Sequence, residues 1–541
     1  MMNVNCSTGR LMHGGLAVLL LCLLCMTMLT PAQAAPSSSH DTGDEVTSWL
    51  RQHAVPFTTA EPGSSDADLR PLAQMIGSAQ VLGLGEETHG THEFFAMKAR
   101  IIEYMVQHMG VTAFAMEDDW GMSQGVDNYI NGGSQDIWSV MLNDLFITWR
   151  TQEVKSLLEW LRTYNADPAH PHKVHFYGID IQSLERPTVD GVLNYLRKVD
   201  PSQVETAHTI YQKFIGDNQN VGGWSQYKNL DQAGKQRYVS AAKQIYDVLH
   251  THQAAYIQHS SPQAFAEALQ DARVVVQYAT VVPDRIQQDY ALFSADHLPQ
   301  ATDPSSYYWF LQRDVYMAEN VNWLQQHNVG RMVLWAHDDH IARNAALYHI
   351  NGVTIEGNMG FYLQRWLGAR YLPLGMTFSS GSFNANFSFS PTSYTIDTPN
   401  PYSLNGTLAS VNLPRYMLDL RQAPRQGAVA DWLDAGQAFR TVGMYPGTGK
   451  DEIYTPRQAF DIIIHFQRSH PSRMLSSQAS FFGTLYDNAN YIILGIIAFI
   501  ALIIILVALL RWHYRRRLAR ERAFIQKLRS SPPATQTTTS S

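Results

Sequence analysis

The chain has 541 residues, 45% of them hydrophobic, and its 47 acidic and 40 basic side chains give a net charge of −7. A chain of this length can bury a large core, and its mildly acidic balance does not indicate a nucleic-acid partner. All three cysteines (Cys6, Cys22 and Cys25) lie within the first 34 residues. The rest of the chain therefore has no disulfide framework, zinc–cysteine site or cysteine nucleophile.

The first 34 residues have the pattern of a secretory signal peptide. Arg10 precedes an apolar run over 16–29, and small residues at 32 and 34 flank Gln33. A short apolar run followed by such a site predicts cleavage after Ala34 rather than a retained membrane anchor.

The C-terminal end has the pattern of a membrane anchor. Residues 491–510 carry no charge, and twenty apolar residues can span a bilayer. The tail, 511–541, is rich in arginine, which is typical of the cytoplasmic side. The sequence thus predicts a single-pass cell-membrane protein with an extracytoplasmic body, 35–476, and a spacer, 477–490.

The first part of the body repeats a strand, an acid-rich turn and a helix. The predicted strands are a short run at Val81–Leu84, then Val111–Met116 and Val174–Ile179, and a helix over about 91–109 follows the first. This repetition predicts a mostly parallel sheet with crossover helices.

Helical periodicity replaces this rhythm from about 187 to 293, which predicts a helical insertion or cap. A helix at 307–326 and a buried strand at Arg331–Trp335 restore the alternation, and later strands are expected at 371–378 and 460–466. The Ser- and Asn-rich stretch 379–405 is interpreted as a surface excursion. The predicted fold class is α/β, a mostly parallel central sheet flanked by helices, plus one C-terminal transmembrane helix.

Titratable side chains cluster after three of the strands. They are Glu86, His89, Glu93, Glu117, His337 and His340. A histidine beside a carboxylate can take a proton from water near neutral pH. Several such groups at one sheet edge predict water activation for hydrolysis, with Lys98 or Arg313 as the cation that stabilises the oxyanion.

Other catalytic templates fit less well. The chain has no H-E-x-x-H motif. Imidazole and carboxylate also suit zinc, so the same cluster leaves a metal-dependent hydrolase open. Single histidines at turns and acids near helix starts are often structural, and only their grouping favours a site.

Six segments together resemble the erythromycin esterase family. They are GLGEETHGTHEFFAMKAR, FAMEDDWG, FYGIDIQS, VLWAHDDHIAR, GNMG and PLGMTFSSGSF. The resemblance covers about 54–475. It implies an antibiotic-resistance type of activity, a metal-independent hydrolase that opens a macrolide lactone with a histidine as general base and with no cofactor.

The resemblance also implies roles for individual residues. His89 matches the general base and Glu86 its carboxylate partner, while Glu117 and His337 match further catalytic positions.

Four more residues are expected at the substrate, and Lys98 stands where the resistance esterases carry an arginine. The predicted substrate-binding residues are Glu93, Lys98, His340 and Arg313.

The leading hypothesis is a membrane-anchored hydrolase of a small-molecule ester or lactone, with His89 activating water. The alternatives are a metal-dependent hydrolase with the same His/Glu set and a non-catalytic surface binding protein of the same fold.

Overall fold

The computed structural model describes residues 39–215, 230–294, 308–327, 329–350, 353–385, 391–443 and 451–475, with 503, 506–523 and 526 near the C-terminus. The predicted signal peptide and the spacer 477–490 lie outside the described residues. The helices are Ser39–His53, Arg70–Ile76, His92–His108, Ser123–Ile130, Ile137–Asn143, Gln152–Ala166, Arg186–Val199, Val204–Ile215, Gln232–Thr251, Gln253–Gln258, Pro262–Ser294, Tyr308–Gln326, Asp338–Ile341, Met359–Leu367, Leu404–Ala409, Ala428–Asp434 and Pro456–Ala459.

The strands are β1 (Val55–Pro56), β2 (Val81–Leu84), β3 (Val111–Asp119), β4 (His175–Asp180), β5 (Arg331–Trp335), β6 (Ala345–Ile350), β7 (Val353–Gly357), β8 (Tyr371–Ala385), β9 (Thr392–Ile396), β10 (Arg415–Asp419), β11 (Gln437–Phe439), β12 (Glu452–Tyr454) and β13 (Ile462–Ser469). Nine of them form one sheet in the order β1-β10-β13-β8-β2-β5-β3-β4, with β9 on β8. The strands from β13 to β4 are parallel, and β1, β10 and β9 pair antiparallel.

Helices cover both faces of this sheet, so its central strands are apolar throughout. In β5, Val333 and Trp335 face one core, and Met332 and Leu334 face the other. The helix His92–His108 packs in the first core, and Tyr308–Gln326 packs in the second. The predicted α/β fold with a central sheet and flanking helices is confirmed.

The described parts of the segment 186–294 are helical and enclose a core of their own. The longest helix, Pro262–Ser294, packs against Tyr308–Gln326, which connects the insertion to the sheet. Trp120, just beyond β3, contacts the apolar side chains of the insertion and of the sheet core, and its indole Nε1 donates to Asp271 at 2.9 Å. The insertion thus adjoins the β3–β4 side of the sheet.

The predicted transmembrane helix over 491–510 is wrong. Among the residues that the structure describes, no helix combines the length and the apolar character needed to cross a bilayer. Most of 491–510 lies outside those residues, and the described helix 506–523 reaches its first arginine at Arg511. A span needs about 20 apolar residues, and arginine side chains are costly at the bilayer centre. The cell-membrane location that depended on this span is corrected with it.

The surface excursion expected over 379–405 is wrong at both ends of that range, whereas the described residues 391–402 are half-buried or exposed. β8 pairs with β13 as far as Gly381 and continues to Ala385, and β9 pairs with Gly381–Ala385. Phe383 is buried, and so is Leu404 in the following helix. Pairing with two neighbours makes a Ser- and Gly-rich segment a strand despite its loop-like composition.

Candidate active site

Three adjacent parallel strands, β2, β5 and β3, end at the same edge of the sheet. The residues that follow β2 and β5 therefore meet the end of β3. The turn after β2 approaches the turn after β5 closely, because the Asp338 N–H donates to the Glu86 carbonyl at 2.9 Å. A Cβ on Gly85 would lie 1.9 Å from the Asp338 Oδ1 atom, so only glycine permits this approach.

His89 lies at the centre of this edge. Its Nδ1 atom is 3.1 Å from Glu86 Oε1, and its ring meets Trp149 edge-on with the centroids 5.1 Å apart. Burial lowers the pKa of His89 to about 3, although the Glu117 carboxylate acts in the opposite direction. His89 is therefore a neutral imidazole at physiological pH and can accept a proton.

His337 faces His89, with ring centroids 4.9 Å apart. Its Nδ1 atom accepts the Asp339 N–H at 3.2 Å and lies 3.3 Å from Asp339 Oδ2. Burial disfavours the charged ring, but Asp339 raises the pKa of His337 overall. The Nε2 atom is buried and has no hydrogen-bond partner among the described residues. Since Nδ1 accepts a hydrogen bond in the neutral ring and both nitrogens are protonated in the charged ring, Nε2 carries a hydrogen in either state.

Behind these two histidines, Arg313 holds a buried network of charges. Its guanidinium donates to both Asp180 oxygens at 2.9 and 2.6 Å and to Glu117 Oε1 at 2.8 Å. Glu117 also accepts the His337 backbone N–H at 3.0 Å. Burial favours the neutral acid, but His340 and Arg313 hold the pKa of Glu117 well below its usual range.

His340 belongs to the same network. Its Nδ1 is 2.6 Å from Asp314 Oδ1, and its Nε2 is 3.1 Å from Glu117 Oε1. Burial disfavours the imidazolium, but Asp314 and Glu117 raise the pKa of His340 to about 10. His340 thus has a carboxylate at each nitrogen that favours the buried cation, while Arg313 Nη1, 3.1 Å from Nε2, acts against it.

Lys98 is fully buried and does not stand at an open surface. Its ammonium contacts Glu86 Oε2, donates to the Ala336 carbonyl at 3.1 Å and lies 4.8 Å from the centroid of the Trp335 ring. These contacts place Lys98 behind Glu86, where it fixes the carboxylate that faces His89.

Glu93 lies outside this cluster. It accepts the His470 N–H at 2.8 Å, and its other oxygen is 2.5 Å from His470 Nδ1. The neighbouring His92 bridges Glu153 at 2.6 Å and Glu61 at 2.7 Å. The structure thus brings together the predicted residues Glu86, His89, Lys98, Glu117, Arg313, His337 and His340, and leaves Glu93 on a separate set of contacts.

Sequence reasoning did not assign several residues that build the cluster. Two of these residues could have been found from the sequence. Asp180 is the acid that follows the predicted strand 174–179, and Asp314 follows Arg313 in the predicted helix 307–326. Asp339 lies within the motif that follows β5. Trp149 carried no local signal and is placed by its indole N–H, which donates to the Glu117 carbonyl at 2.9 Å.

Within the described residues, no three or more His, Cys, Asp or Glu side chains are arranged as a set that could hold a metal ion. The nitrogens and oxygens of His340, Glu117 and Asp180 are instead engaged with one another or with Arg313.

A comparison with protein families decides the relationship of the chain. The erythromycin esterase family model matches residues 106–469, more than half of the chain. The chain belongs to the erythromycin esterase family.

Relatives extend the match over most of the chain. Erythromycin esterase type II of Escherichia coli is 25% identical over 459 residues, covering 79% of this chain and 98% of its own. The putative hydrolase YbfO of Bacillus subtilis (strain 168) is 23% identical over 474 residues, covering 84% and 97%. A solved Bacillus cereus protein is 28% identical, with a TM-score of 0.67, and the match covers 80% of this chain and 99% of that protein. Membership in an esterase family makes this chain an esterase-type hydrolase with a small-molecule substrate.

Proposed function

We propose that this esterase-family hydrolase cleaves an ester or lactone with water that His89 activates, and that it needs no metal. The observation that carries the proposal is the neutral, Glu86-bonded imidazole of His89 beside the ring of His337, whose Nε2 has no hydrogen-bond partner among the described residues. A base and a hydrogen-bond donor close to one another suit water attack on a carbonyl.

His89 Nε2 takes the first proton. With Nδ1 bonded to Glu86, Nε2 is the free base, since it has no hydrogen-bond partner among the described residues. It removes a proton from water as the water oxygen bonds to the carbonyl carbon. The imidazolium then returns this proton to the leaving alkoxide oxygen as the C–O bond breaks, so an acid and an alcohol are formed. Glu86 stabilises the transient imidazolium.

His337 stabilises the oxyanion. Its Nε2–H is a buried donor that the described residues leave unpaired, and a donor at this point gains strength as negative charge develops on the carbonyl oxygen. Glu117 orients His337 by accepting its backbone N–H, and Arg313 and His340 hold Glu117 in place. Lys98 does the same for Glu86.

Macrolide lactones belong in the first substrate panel. A relative with 25% identity carries the name erythromycin esterase type II, and a lactone is an internal ester that the same water attack opens. Simple aryl esters complete the panel because they report the attack step without demands on substrate shape.

His89→Gln tests the mechanism. We expect it to abolish hydrolysis of every ester that the native chain cleaves, while His92→Gln, three residues away, retains activity because His92 bonds only outside the cluster. Equal activity of the native chain and His89→Gln would contradict the mechanism.

Metal analysis and chelation separate the alternatives. We expect full activity after chelation, and stoichiometric metal with activity lost on chelation would favour the metal-dependent hydrolase. Ligand binding without turnover across the panel would favour the non-catalytic binding protein.

A further inference from the structure

The segment Thr441–Gly443, which follows β11, runs alongside the turn that carries His89. The Val442 N–H donates to the Glu87 carbonyl at 2.8 Å, and Val442 pairs with Thr88 as a parallel bridge. This pairing fixes the register of the segment one residue before His89. Its last described residue, Gly443, is thereby brought beside the imidazole.

A buried side chain in the same turn holds this segment. Glu87 is fully buried, and its Oε1 accepts two hydrogen bonds from Arg440, at 2.8 Å from Nε and 2.6 Å from Nη2. Asn405 donates to the other oxygen at 2.7 Å and accepts the Arg440 backbone N–H at 3.1 Å. Paired hydrogen bonds from arginine to one carboxylate fix direction as well as distance. The path from Arg440 to Gly443 is therefore set by the His89 turn itself.

Gly443 leaves a gap in the side chains around His89. A Cβ built on Gly443 would meet one atom within 4 Å among the described residues, the His89 Cδ2 carbon, at 4.0 Å. Its φ lies outside the left-handed region, so the backbone does not require glycine there. Among the described residues, neither packing nor backbone conformation requires a glycine at 443, and a side chain there would point toward His89. Such a side chain would occupy the space against the catalytic imidazole.

We infer that Gly443 determines which substrates reach His89. Its missing side chain leaves room beside the imidazole for the acyl part of an ester, and Glu87 and Arg440 hold the glycine at that place. The inference rests on the proposed function, because it makes Gly443 part of the wall of the space in which His89 acts. A Cβ at 443 has no atom of Glu86, His337 or the buried charges within 4 Å, so a side chain added there narrows the space on the His89 side.

Gly443→Ala and Gly443→Leu test the inference with two esters that share a leaving group, p-nitrophenyl acetate and p-nitrophenyl cyclohexanecarboxylate. We expect Gly443→Leu to lower kcat/KM for the bulky ester relative to the acetate by about tenfold or more, the size of effect that a single methylene has in a specificity pocket. Gly443→Ala adds one methyl at van der Waals distance and should give a smaller shift in the same direction. The thermal midpoint should not change, and the alanine variant decides the test if the leucine variant does not fold.

Gly43→Leu is the matched control, since Gly43 is exposed and its Cβ would meet nothing within 4 Å. The ratio of the two kcat/KM values should equal that of the native chain. An unchanged ratio in both Gly443 variants, or an equal loss on both esters, overturns the inference and leaves the mechanism of His89 intact. A native chain that cleaves neither ester and no lactone of the panel overturns the proposed function and this inference with it.

Discussion

His89 and His340 are buried within the same site, yet they hold opposite charge states. His89 has one carboxylate contact, and burial lowers its pKa to about 3. His340 has a carboxylate at each nitrogen, and Asp314 and Glu117 raise its pKa to about 10 against the same burial. At His340 two carboxylates outweigh desolvation, whereas at His89 desolvation and three positively charged neighbours outweigh the Glu117 carboxylate. The site thus separates a neutral base from a scaffold that is charged at neutral pH.

Glu86→Gln should have the largest effect on this arrangement. The amide keeps the shape of the side chain but loses the charge that stabilises the His89 imidazolium, so we expect kcat to fall by about 10²–10⁴-fold. Steady-state kinetics on the best ester measure the loss. Glu159→Gln, on an exposed pair with Lys155, is the control and should keep native kcat. A Glu86→Gln variant with native kcat would show that His89 acts without this carboxylate.

Arg313→Met should have the next largest effect, because Arg313 pairs with the buried carboxylates behind the two histidines. The substitution leaves Asp180 and Glu117 buried without their cation, so we expect the free energy of unfolding to fall by about 3–5 kcal/mol. Denaturant unfolding measures the change. Arg365→Met removes an exposed pair with Glu356 and should cost less than about 1 kcal/mol. Equal losses in the two variants would contradict a buried scaffold held by Arg313.

The two histidines should give opposite dependences of stability on pH. Because the pKa of folded His89 lies below its unfolded value, its contribution is present above about pH 6.5 and is lost as the pH falls toward 3. The pKa of folded His340 lies above its unfolded value, so its contribution is present below about 6.5 and is lost as the pH rises toward 10.

Unfolding free energies measured from about pH 4 to about pH 10, the range set by the two pKa shifts, check these signs. His89→Gln should flatten the acid side of the profile, and His340→Gln should flatten the alkaline side. If both variants flattened the same side of the stability profile, the two rings would share one charge state.

Glu61→Gln should have the smallest effect. Glu61 is half exposed and pairs with His92 outside the cluster, so we expect at most about 1 kcal/mol in unfolding free energy and unchanged kcat. Thermal unfolding and ester kinetics measure both. A large loss of kcat would link the His92 contacts to the site.

The residues at the strand ends could be grouped from the sequence because parallel strands of one sheet end at the same edge, so the residues that follow them lie close together. The sequence placed β5 at Arg331–Trp335 as observed, since a continuous apolar run of that length is typical of a buried strand. It could not place Arg440 against Glu87, because 353 residues separate them and no local pattern joins them. The strand β10 was missed for a related reason, since its five residues become a strand by pairing with β13. The roles of His89, Glu86, Glu117 and His337 in catalysis stay predictions that the variants above decide.

The separate core of the helical insertion has a consequence for hydrogen exchange. Side chains such as Leu196, Ile245 and Val275 pack with one another and not with the sheet core, and Trp120 is among the side chains that join the two. Segments with their own core open as cooperative units at a free energy below that of global unfolding. Amide protons of 186–215 and 230–294 should therefore exchange together and before those of β2, β5 and β3, so that the chain has a partly open state in which the insertion is unfolded and the catalytic edge of the sheet remains intact.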